Sequence, residues 1–154
     1  MMRTRACLWL AAAGALVAAG FVLFRFGLVS RPPEINPDNP AQVALGRRIY
    51  VERCATCHGA NLEGQPNWMV RKPNGRLPAP PHDAAGHTWH HPDQQLIVIT
   101  KKGLSAIVPG YESDMPPFEA VLSDEQIAAV LAYIESTWPS EIRERQHALT
   151  RASS

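Results

Sequence analysis

Residues 54–59 read Cys54-Ala55-Thr56-Cys57-His58-Gly59, and the spacing Cys-x-x-Cys-His governs how the remaining residues are interpreted. On a short turn of helix, two thiols at this spacing reach the two vinyl groups of a haem and form thioethers. The adjacent imidazole is then carried beneath the iron as its proximal ligand. The stretch therefore predicts one covalently bound haem c, attached through Cys54 and Cys57 and ligated by His58. A Cys-x-x-Cys pair alone also suits a redox dithiol or half of a zinc site. Zinc would need a second ligand pair, and the only other cysteine is Cys7.

Three cysteines, two of them committed to haem, leave no disulfide framework. A domain of roughly 100 residues has little core of its own, so the haem is expected to supply part of it. The chain carries a formal charge of +1, but Arg3, Arg5, Arg25 and Arg31 provide four of its 15 basic residues. Beyond Arg31 there are 11 basic residues against 14 acidic ones. That balance excludes a nucleic-acid binder.

Upstream of the motif, Leu8 to Phe24 form 17 residues without a charge, preceded by Arg3 and Arg5. A cleavable export signal has an apolar region of about 7–15 residues, whereas about 17–25 span a bilayer. Residues 1–30 are therefore expected to be an uncleaved signal anchor forming one transmembrane helix. Cleavage near Ala18-Ala19-Gly20 is the alternative, and it would leave Phe21-Val22-Leu23-Phe24 exposed at a new amino terminus. The positive-inside rule puts the following domain on the outer, periplasmic side of the cytoplasmic membrane. Four prolines between Arg31 and Pro40 suggest that residues 31–39 are an extended linker.

The domain expected over residues 40–138 opens with Asn39 as N-cap and Pro40 at the first helical position. This helix runs through Gly46, Ile49, Tyr50 and Arg53 into the motif. Gly46 costs about 1 kcal/mol against alanine in mid-helix, which predicts that a second helix approaches closely there. Residues 59–92 are rich in glycine and proline and predict a long loop wrapped on the cofactor. His91-Pro92 opens a short helix over Asp93–Lys102, ended by Gly103. After another loop, Ser123-Asp124-Glu125-Gln126 forms a capping box, and Ile127, Val130, Leu131, Ile134 and Trp138 follow at helical spacing. Residues 139–154 are polar and read as a tail with a short, fraying helix.

Taken together, residues 40–138 resemble a class I c-type cytochrome. The resemblance rests on Gly46-x-x-x-Tyr50, on the Cys54–Gly59 stretch, on the single methionine of Asp114-Met115-Pro116-Pro117-Phe118, and on Leu131-Ala132-Tyr133-Ile134 in the last helix. It implies an all-α fold of three to four helices around one haem, the first and last crossing beside it. Met115 is the candidate sixth ligand, since a thioether is a soft donor for haem iron and prolines restrain its loop. Met69, His82, His87, His90 and His91 are its competitors. Met69 lies close to the proximal motif and is read as core filler. In Leu77-Pro78-Ala79-Pro80-Pro81, a backbone carbonyl is expected to accept the Nδ1 proton of His58, with Pro80 the candidate. Trp68, Trp89, Arg71 and Arg76 are candidate haem contacts through bonds to the propionates.

A haem with two protein ligands has no open position for substrate. The expected function is therefore one-electron transfer and not catalysis, alone or within an oxidoreductase complex. The donor would be a dehydrogenase or membrane complex and the acceptor a terminal oxidase or another cytochrome, docking at a small transient surface. Two alternatives are a ligand-sensing haem protein with a displaceable Met115, and a metal-handling protein using the His82–His91 loop for copper or zinc.

Overall fold

Asn39 adopts extended backbone, and its side chain accepts hydrogen bonds from the amides of Ala41 and Gln42. With two orphan donors satisfied and Pro40 preset for the helix, the chain turns into α1, Pro40–Arg53. In the computed structural model, which describes residues 33–153, three further helices reach ten residues or more. They are α3 (Asp93–Lys102), α4 (Asp124–Ser136) and α5 (Ser140–Ala152), while α2 (Ala55–His58) is a single turn. Single 3-10 turns lie at Thr88–His90 and Leu104–Ala106. No strand occurs among the described residues, so the fold is all-α. The anchor expected over residues 1–30 lies outside the described residues. Among those described, no helix is long and apolar enough to cross a membrane.

The capping box at α4 is complete: Ser123 Oγ accepts from the Gln126 amide, and Gln126 Oε1 accepts from the Ser123 amide. These bonds start the helix whose Ile127, Val130, Leu131 and Ile134 form the centre of the core. α1 crosses α4 at Gly46, where an added Cβ would lie 1.8 Å from the Ala129 carbonyl oxygen. Only a glycine allows the two backbones to come this close. Tyr50, one turn on, is fully buried and packs against Tyr133 with ring centroids 5.4 Å apart. Full burial of side chains of this size stabilises a fold by about 1.5–3 kcal/mol each.

Two segments differ from the sequence expectation. Residues 33–39 do not stand away as a spacer. Ile35 and Pro37 are buried, Gln42 Nε2 donates to the Glu34 carbonyl, and Asp38 pairs with Arg143. Residues 140–152 are not a fraying tail but a 13-residue helix. Gln146 in α5 is fully buried, and its amide donates to Asp93 Oδ1 and to the His91 carbonyl. The partners that hold α5 lie more than 50 residues away in sequence, so its polar composition carried no local sign of docking.

Candidate haem-binding site

α1 delivers the motif directly into α2. Gly59, with φ of 83°, ends α2, and the Tyr50 hydroxyl donates to the Gly59 carbonyl at 2.8 Å, fixing the motif against the buried end of α1. Cys54 is half-buried and Cys57 exposed, and both are free thiols. Burial, followed by the neighbouring Cys57, pushes the Cys54 thiol up to about 11. Neither sulfur is engaged in a disulfide.

His58 is buried, and its Nδ1 lies 2.9 Å from the carbonyl oxygen of Pro80. A carbonyl only accepts, so Nδ1 carries the proton and Nε2 keeps its lone pair for a metal. Burial lowers the His58 pKa and outweighs the opposing pull of that carbonyl, which favours the neutral, ligating form. The carbonyl is brought there by pairing of residues 62–65 with residues 79–82. The Gln65 amide donates to the Ala79 carbonyl, and the His82 amide donates to the Leu62 carbonyl. Gly64 permits the approach: its φ is +68°, and a Cβ would meet the Pro81 nitrogen at 2.5 Å.

His82 itself has a role that sequence reading missed. Its ring stacks on His58 with centroids 4.0 Å apart, and its Nδ1 is 2.5 Å from Thr88 Oγ1. Trp138 Nε1 donates to its carbonyl at 2.7 Å. Burial, then the neighbouring His58, holds the His82 pKa well below the usual histidine range. The one available signal was its place two residues beyond Pro80, which gives no ring orientation by itself.

Met115 is half-buried against the core, and its amide donates to Ser113 Oγ. The chain just beyond is tied to α3 through the Phe118 and Glu119 amides, which donate to the Thr100 and Lys101 carbonyls. Beside Met115 opens a cavity of about 390 Å³ whose lining includes Arg76, Tyr111, Glu112 and Pro117. Arg76 pairs there with Asp114 and Glu112, whereas its Nε is buried with no protein partner.

The other candidates scatter. Arg71 Nη1 donates to the Gly75 carbonyl, and its guanidinium lies 5.7 Å from the Tyr111 ring centroid. The Trp89 indole donates to the Ala84 carbonyl, so its donor is already used within the loop. Trp68 is half-buried, with its ring 6.0 Å from that of His87. Met69 is 74% exposed and so does not fill the core. His87, His90 and His91 lie together, but among the described residues no group of three or more His, Cys, Asp or Glu side chains is arranged to hold a metal ion. Within the His82–His91 loop, His82 turns inward onto His58 while His87 and His90 face solvent.

The residues present fit a haem c. A buried imidazole has its Nδ1 proton engaged, two free thiols precede it at attachment spacing, and an unpartnered guanidine donor beside Met115 suits a propionate oxygen. Residues 43–138 match the family model "Cytochrome c". Over 109 residues, 70% of this chain, the sequence is 28% identical to the cbb3-type cytochrome c oxidase subunit CcoP of Rubrivivax gelatinosus. The matched region spans about 30% of that relative's length. No solved structure matches the chain significantly. With its haem motif leading out of the first helix and a glycine at the crossing with α4, the chain belongs to the cytochrome c family and is a class I c-type cytochrome, an electron-transfer haem protein.

Proposed function

We propose that this protein is a one-electron carrier holding a single haem c through thioethers at Cys54 and Cys57, with His58 and Met115 as axial ligands. The observation that carries this reading is the His58 Nδ1–Pro80 bond next to two free thiols, which presents Nε2 where attachment would fix the iron. When bound, haem c supplies the one-electron couple. His58 stays neutral and oriented, the half-buried Met115 limits access to the other side, and a thioether ligand raises the reduction potential.

Residues 1–30 anchor the protein in the cytoplasmic membrane, with the haem domain on its periplasmic side. Likeness to a cbb3-type oxidase subunit favours a place within or beside an oxidase complex. A dehydrogenase or membrane complex then donates electrons, and a terminal oxidase or another cytochrome accepts them. The partner surface is small and transient, as expected for electron transfer.

Met115→Ala tests the ligand set. Ferric wild type is expected to show the weak near-infrared band of sulfur–iron charge transfer, and its ferrous form to resist carbon monoxide. The variant should lose the band, bind carbon monoxide and have a lower midpoint potential. A band that survives the substitution would exclude Met115 as the ligand.

A further inference from the structure

The residues around Arg71–Arg76 and those just before Met115 are about 40 positions apart in sequence, yet charged groups join them directly. Lys72 Nζ donates to Asp114 Oδ2 at 2.6 Å, and Arg76 Nη1 donates to Asp114 Oδ1 at 2.7 Å. One carboxylate therefore binds two cations, one through each oxygen. Arg76 Nη2 reaches on to Glu112 Oε2 at 3.3 Å, and Arg71 lies over Tyr111.

The two cations are aimed by a tight turn. The Gly75 amide donates to the Lys72 carbonyl, the Arg76 amide donates to Asn74 Oδ1, and the Lys72 amide donates to the Arg76 carbonyl. Lys72 and Arg76 thus leave the same short loop toward the same acceptor.

We propose that this bridge is a strap that positions Met115, with Asp114 as the positioning residue. The proposal rests on the reading of Met115 as the sixth ligand. From Phe118 onward the chain is tied to α3 by backbone bonds, whereas the residues just before Met115 have the strap as their tie across to the 71–76 loop. A methionine is a weak ligand that stays on a metal only while its loop is held. Because the strap ions are about two-fifths exposed, their attraction is screened by salt. Raising ionic strength should therefore loosen Met115, and neutralising Asp114 should do so at any salt concentration.

The test uses the ferric holoprotein and exogenous imidazole as probe. Asp114→Asn is expected to raise imidazole affinity roughly threefold to tenfold, the scale of losing two partly exposed ion pairs. Added sodium chloride should raise wild-type affinity toward that of the variant and leave the variant nearly unchanged. Asp114→Glu should restore much of the wild-type behaviour, and Arg145→Gln, which breaks the surface pair with Glu141 elsewhere, should have no effect. Hydrogen exchange of residues 112–118 reads loop order independently of ligation, and it should accelerate in Asp114→Asn while α4 is unchanged. Unchanged exchange and imidazole affinity in Asp114→Asn, with the near-infrared band present in wild type, would overturn the strap alone. A wild type without that band would remove the Met115 reading and the proposal with it.

Discussion

Gly46→Ala is expected to destabilise the domain by on the order of 3 kcal/mol or more, the upper end for an overpacked contact. The added methyl would sit 1.8 Å from the Ala129 carbonyl oxygen, 2.5 Å from its carbon and 2.9 Å from Tyr133 Cβ. Two of these atoms belong to backbone in the middle of α4, so no rotamer change relieves the contact and the helices must separate. Separation opens the core that contains Ile49 and Val130 and pulls Tyr50, whose hydroxyl bonds the haem motif at Gly59, away from Tyr133. For a domain near 100 residues the melting temperature should fall by roughly 10–20 °C, and the yield of haem-loaded protein should fall with it. Helix propensity alone predicts the opposite sign, because alanine is favoured over glycine by about 1 kcal/mol. A variant as stable as wild type would mean that α1 and α4 do not cross at Gly46.

Glu135→Gln should stabilise the protein at mildly alkaline pH and flatten its pH dependence. Glu135 is 1% exposed beneath α5, and neither carboxylate oxygen has a hydrogen-bond partner. The Gln146 side-chain oxygen is likewise buried and unpartnered. Burial, then the negative charge of Asp93, pushes Glu135 up to about 8, while Arg143 acts in the opposite direction. His147 Nε2 lies 3.8 Å from Glu135 Oε2. Between the ordinary value of 4.5 and about 8, the folded protein holds a proton that the unfolded chain has released. Stability from this group is therefore full below 4.5 and is lost as pH rises through 8, with a slope of up to about 1.4 kcal/mol per pH unit. Glutamine carries its own donor and needs no proton. Denaturant titrations from pH 5 to pH 9 should show the variant gaining on wild type as pH rises, and parallel curves would contradict the buried, protonated state of Glu135.

What could be read from sequence is what short-range chemistry decides. Asn39-Pro40, the Ser123–Gln126 capping box and Gly103 each act within four residues, and the helices they bound were legible to within about two residues. Gly46 was legible because a glycine in mid-helix has a cost that some close contact must explain. The misses are pairings between distant residues. Arg76 meets acids 36 and 38 positions away, Gln146 meets Asp93 53 positions away, and the docking of Asp38 on Arg143 spans 105. No periodicity records such partners, so the acidic partners of Arg76 went unseen and α5 read as a solvated tail. His82 was hidden for a related reason. A histidine in a proline-rich loop gives no sign of facing inward until the strand-like pairing of residues 62–65 with 79–82 is known.

Acid–acetone extraction of the purified, denatured protein tests the central claim most directly, because only thioether bonds at Cys54 and Cys57 keep haem on an unfolded chain. The haem should stay with the polypeptide at one per chain, and Cys54→Ala or Cys57→Ala should each sharply reduce the yield of haem-bearing protein. Haem passing into the organic phase, with a colourless polypeptide left behind, would contradict covalent attachment and the account built on it.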